Sequence, residues 1–148
     1  MSEDSIPHRK VLYGRRLGRP LRKQRLEVME TLLPRMKLSV PTQGECLDPT
    51  TLFDTPKRDL WFEVGFGGGE HLAWQSERHP DIGFIGCEPF INGVSSLLKH
   101  VAEGGQTNIR VVPDDARPVL DALPDASVGR AFVLFPDPWP KARHAFRR

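Results

Sequence analysis

Leu60-Trp61-Phe62-Glu63-Val64-Gly65-Phe66-Gly67-Gly68-Gly69-Glu70 is the stretch whose reading decides the fold. An apolar run ends in an acid, the glycines Gly65, Gly67, Gly68 and Gly69 follow, and a segment of helical character begins near Glu70. Glycine suits backbone at positive φ or backbone pressed against a ligand. Strand, glycine turn and helix in this order describe a nucleotide-type cofactor site at the carboxyl end of a parallel strand.

Working outward, strands are expected at 59–64, 83–88, 108–113 and 130–135, with helices at 69–78, 91–103 and 116–123 between them. Gly104-Gly105 stops the second helix and Pro124 the third. Strands separated by helices of this length require right-handed crossovers, which gives an α/β fold: a parallel sheet with helices on both faces. Residues 131–135, Ala-Phe-Val-Leu-Phe, are apolar at every position, as in a strand buried on both faces. The usual doubly wound order, 3-2-1-4, places that strand at an edge, where it is a pairing hazard. Further strands are expected beyond it, so the chain reads as the N-terminal part of a longer protein whose C-terminal strands are missing.

Upstream, Leu21, Leu26, Val28, Met29, Leu32 and Leu33 recur at helical spacing and predict an amphipathic helix over 21–33, ended by Pro34. Residues 41–56 carry no sustained period and read as a connecting loop. The expected organisation is a basic flexible arm over 1–25, a helix and connecting loop over 26–58, and an incomplete cofactor-binding domain over 59–148.

The 148 residues are 39% apolar and 27% charged, which suits one folded domain and excludes a disordered chain. No apolar run approaches the roughly 20 residues of a membrane span, and Met1-Ser2-Glu3-Asp4 does not open a signal peptide. A cytoplasmic protein with no membrane contact is expected. Cys46 and Cys87 stand far apart and the five histidines show no ligand spacing, so neither a disulfide framework nor a metal site is expected. The net charge of +2 conceals a sorted distribution, with eight Arg/Lys against two acids in residues 1–25, four against none in 141–148, and an excess of eight acids between. Basic ends on an acidic body suit a polyanion held at the ends and a ligand on the body that is not anionic, although solvated tails give the same pattern.

The acids around the glycines bear on the cofactor. In the dinucleotide fingerprint a third glycine stands where this chain has Glu70, and the helix start must receive a pyrophosphate. Glu63 and Glu70 flank that point, and unit charges roughly 4 Å apart repel by about 1 to 4 kcal/mol, depending on the local dielectric. A nicotinamide dinucleotide is poorly served, whereas a cation is welcome. S-adenosylmethionine (SAM) carries a sulfonium and an ammonium and no phosphate. Glu88, at the end of the second strand, is placed to accept from its ribose, and Asp115, after the third, from its adenine. Glu70 reads first as a carboxylate in the opening turn on the helix dipole, and Asp115 equally as a helix cap. Glu63 has no such alternative, because a charge closing an apolar strand directly before glycines is rarely there for packing.

Phe135-Pro136-Asp137-Pro138-Trp139-Pro140-Lys141-Ala142-Arg143-His144 leaves the fourth strand at the carboxyl edge, where ligands of such sheets bind. This loop, after a class I methyltransferase glycine turn, resembles the tRNA (guanine-N7)-methyltransferase family of the bacterial TrmB type, and the likeness runs from about Gly18 to Arg148. The resemblance implies a Rossmann-like class I methyltransferase fold, SAM as cofactor, tRNA as partner, and methylation of guanine N7 at position 46 of the variable loop. It further implies that Glu63, Gly65, Gly67, Glu88, Asp115 and Asp137 contact SAM and that Asp137 is the catalytic position. Lys141, Arg143, His144, Arg147 and Arg148 are implied to meet the substrate RNA. Trp139 suits stacking on a base and packing of its own loop equally. The alternative is a non-catalytic RNA-binding fragment of such an enzyme, since the family's substrate motifs beyond the fourth strand are absent from the chain.

Overall fold

The computed structural model describes residues 14–134 together with Ala142 and Arg143. Its elements are α1 (Lys23–Thr31), α2 (Leu33–Met36), β1 (Asp59–Val64), α3 (Glu70–Arg78), β2 (Ile82–Cys87), α4 (Ile91–Gly104), β3 (Ile109–Val112), α5 (Arg117–Ala122) and β4 (Arg130–Phe132). A 3-10 turn, Pro49–Thr51, interrupts the connecting loop. The four strands form one sheet in the order β3-β2-β1-β4, and every pairing is parallel. This is the α/β arrangement expected from the alternation of elements.

Because successive side chains of a strand face opposite ways, β1 divides its residues between two layers. Leu60 and Phe62 pack with Ile85, Cys87, Val112, Val119 and Leu123 under α5 and the connecting loop. Trp61 faces the other layer, with Phe84, Leu72, Val94 and Leu97 beneath α3 and α4. Glu63, two residues on from Trp61, therefore points to the α3 side. The Trp61 ring meets Phe84 and Phe132 edge-on at 5.6 and 6.1 Å. The Arg130 guanidinium lies 4.4 Å over it. One tryptophan thus fastens the short β4 to the centre of the sheet.

Three features differ from the sequence reading. Pro34 does not end the helical region: α1 closes at Thr31, and α2 begins at Leu33 with Pro34 in its first turn. A proline there forfeits an N–H that has no helical partner in any case, so the chain turns rather than stops. The second difference is the length of β4, expected over 130–135 and observed over Arg130–Phe132. The strand lies at the edge with Arg130 and Ala131 exposed, and the following Val133 is 58% exposed. The edge is the position that the order 3-2-1-4 assigns to it.

The third concerns the basic arm, expected to be flexible over residues 1–25. Its described part lies against α4: the Ile91 N–H donates to Arg16 O (2.8 Å), the Gly18 N–H to Asn92 Oδ1 (2.8 Å), and Asn92 Nδ2 to Arg19 O (2.7 Å). Lys23 and Arg25 already belong to α1.

Among the described residues no helix is long and apolar enough to cross a membrane. Cys46 is exposed and Cys87 buried, both as free thiols. Burial, with Asp115 and Asp114 nearby, pushes the Cys87 thiol well up and leaves it unreactive.

Candidate functional site

The carboxyl ends of β1, β2 and β3 bring Glu63, Gly65, Gly67, Glu88 and Asp115, among the expected cofactor residues, to one edge of the sheet. Past Val64 the backbone takes positive φ at Gly65 (66°), Gly67 (59°) and Gly69 (81°). Gly69 caps α3 in a left-handed conformation and lies so close to Leu97 of α4 that a Cβ would collide with it. Gly93 is equally constrained, since a Cβ there would run into the Gly67 carbonyl. At Gly65 and Gly67 a Cβ would meet nothing within 4 Å, so the turn opens on one side while α4 supports the other. That open, carboxylate-bordered cradle suits a cofactor lying on the turn.

Glu88 reaches back from the end of β2 to the turn. The Gly67 N–H donates to its Oε1 at 2.8 Å, and the Phe90 N–H to its Oε2 at 3.3 Å. It therefore shapes the cradle as well as bordering it, at the place expected for the ribose acceptor.

Asp115 accepts from the Arg117 N–H at 2.9 Å and forms an ion pair with the Arg117 guanidinium. The N-cap of α5 is Ala116, with no side-chain cap bond, so Asp115 closes a turn just before the helix, and any ligand contact it made would be beside Arg117. Its neighbour Asp114 holds Arg16 of the arm at 2.6 Å. Among the described residues, Arg16 and Arg117 at this edge are thus each paired with an acid.

Glu63 is 2% exposed, a charge-bearing group inside the core edge. Burial pushes its carboxyl above the ordinary carboxylate range, and a hydrogen bond from His71 partly offsets the rise. Its Oε2 lies 3.0 Å from His71 Nδ1. Glu70, the other acid expected to flank the turn, is exposed in the first turn of α3, where a carboxylate complements the helix dipole. Sequence reasoning missed His71. Its available signal was local: a histidine in the first helical turn after the glycines, with Gln75 four residues on along the same face.

Of the residues implied to meet RNA, Arg143 is described and is exposed. Asp137, Lys141, His144, Arg147 and Arg148 lie outside the described residues.

Comparison with known proteins follows the same lines. Residues 57–148 match the model of the family described as "Putative methyltransferase". The chain is 56% identical to a tRNA (guanine-N(7)-)-methyltransferase of Paramagnetospirillum magneticum over 146 residues, 98% of this chain and 61% of that protein. Proteins of the same name in Rhodospirillum rubrum and Paracoccus denitrificans are 53% and 47% identical, over 92% and 100% of this chain and 54% and 66% of their own lengths. The chain therefore spans about three fifths of the curated relatives it matches.

Proposed function

The chain belongs to the methyltransferase family matched over residues 57–148, and from that membership we propose that it acts in SAM-dependent methylation of guanine N7, at position 46 of the variable loop, in tRNA. The observation that carries the cofactor assignment is the buried Glu63 carboxylate at the end of β1. Among the described residues its polar partner is an imidazole rather than a lysine or arginine. A buried anion without a full counter-charge is costly, and a cationic ligand relieves that cost where a diphosphate adds to it. The names carried by the relatives support tRNA as the substrate.

Bound in the cradle, SAM would supply a methyl group on a sulfonium, activated for transfer to a lone pair. Glu63 is assigned to its cationic end, Glu88 to the ribose and Asp115 to the adenine amino group, with Gly65 and Gly67 leaving room for the ligand against the backbone. Guanine N7 has a free in-plane lone pair, so no proton need be removed before transfer and positioning dominates. Asp137 is assigned to accept hydrogen bonds from the guanine N–H groups, which orients the base and favours the positive charge that develops on it. Pro136 and Pro138, each with φ fixed by its ring, would limit the freedom of the backbone on either side of Asp137. Lys141, Arg143, His144, Arg147 and Arg148 are assigned to the RNA, chiefly to phosphates.

The test is transfer of labelled methyl from SAM to tRNA by the intact protein. The expected product on digestion is 7-methylguanosine, lost when the variable-loop guanine is replaced. Because several phosphate contacts are involved, the apparent affinity for tRNA should fall roughly tenfold or more between 50 and 200 mM salt. Label in another nucleoside, or none in tRNA, would overturn the substrate assignment.

A further inference from the structure

We propose that His71 is a positioning residue for the cofactor: it orients the buried Glu63 carboxylate through a neutral hydrogen bond and so leaves the negative charge for the cationic ligand. The proposal rests on the reading that Glu63 receives the cationic end of SAM, and it assigns a role to a residue outside the acid and glycine set.

Three contacts fix the imidazole. Nδ1 faces Glu63 Oε2 at 3.0 Å, and Nε2 faces Gln75 Nε2 at 3.3 Å. The ring also meets Phe132 edge-on, with centroids 4.8 Å apart. With the Gln75 amide oriented so that its nitrogen donates to Nε2, the tautomer assigned to the ring carries its proton on Nδ1 and donates it to Glu63. The i to i+4 spacing of His71 and Gln75 on α3 makes this pairing automatic once the helix forms.

A neutral donor does something that Lys or Arg at this place could not. An ammonium or guanidinium would orient the carboxylate and also cancel its charge, and the attraction for a cationic ligand would be spent internally. A neutral imidazole anchors Oε2 and leaves the net charge in place. Phe132 belongs to β4, so the ring also ties the glycine turn and β1 to the strand that leads toward the loop containing Asp137.

The test is calorimetric titration of the 148-residue chain with SAM, in single and double variants. His71→Phe keeps the bulk and the ring contact but removes the donor, and is expected to weaken SAM binding by about tenfold, the order of one hydrogen bond to a charged group. His71→Asn, whose amide can donate from the position of Nδ1, should restore affinity to within about threefold of wild type by keeping that bond. A residue acting only through Glu63 must be silent once that carboxylate is gone. His71→Phe in a Glu63→Ala background, which removes the acceptor together with the charge, should therefore change SAM affinity no further, whereas independent effects would add. Should His71→Phe fail to fold, His71→Ala removes the same donor without overfilling the site. Wild-type affinity in His71→Phe or His71→Ala, or full additivity with Glu63→Ala, would overturn the proposal. Wild-type affinity in Glu63→Gln alone would instead overturn the reading of Glu63 on which it rests.

Discussion

Glu63→Gln is expected to weaken SAM binding by about 10- to 100-fold, the cost of removing a hydrogen-bonded ionic contact at a buried position. The substitution keeps the shape of the side chain and the acceptor facing His71 while removing the charge, so the loss isolates electrostatics from packing. Its effect on stability should not run the same way. Burial raises the folded-state pKa of Glu63 above its unfolded value. The folded protein thus binds this proton more tightly than the unfolded chain, and the associated stability is fully present below the unfolded pKa and lost as pH rises through the folded one. At neutral pH the ionised carboxylate is a cost, and glutamine removes it. The ligand-free variant should melt no lower than wild type at pH 7, and the wild type should lose its relative disadvantage as the pH falls toward 4. A variant with weaker binding and a sharply lower melting temperature would mean that Glu63 serves the fold.

Asp137→Ala should reduce methyl transfer to tRNA by roughly 10²- to 10³-fold, the scale seen when one preorganised group facing developing charge is removed. In the intact protein the loss should fall mainly on kcat, with a smaller change in the affinity for SAM. The nucleophile needs no base, so the rate of the variant should not recover at high pH, as it would if alkaline solvent could replace a missing general base. Transfer at the wild-type rate would remove Asp137 from the reaction.

The sequence made some of this site visible for a physical reason and hid the rest for another. The end of β1 was readable because an acid closing an apolar strand before glycines has few structural uses, and the period of two then places Glu63 on the α3 side. Glu88 was readable from its position at the next strand end, but not its bond to the Gly67 N–H, which depends on how β2 stands beside β1. His71 was hidden because a histidine in a first helical turn is ordinarily solvated. Only its distance to Glu63, eight residues away through a turn, reveals its use.

Proline chemistry misled the reading at Pro34, since a residue that ends one helix is equally at home in the first turn of the next. At β4 the apolar run at 131–135 suggested burial on both faces while the order 3-2-1-4 required an edge, and among the described residues β4 lies at that edge beside β1. The seating of the arm on α4 joins residues more than 70 positions apart and leaves no local trace.

The charge of the ligand is the central claim, and it is tested most directly by titrating the 148-residue chain with SAM and, in parallel, with NAD. One-to-one saturable binding of SAM with no measurable binding of NAD is the predicted result. Binding of NAD with none of SAM would contradict it, because a diphosphate would then be accepted beside the buried Glu63 carboxylate.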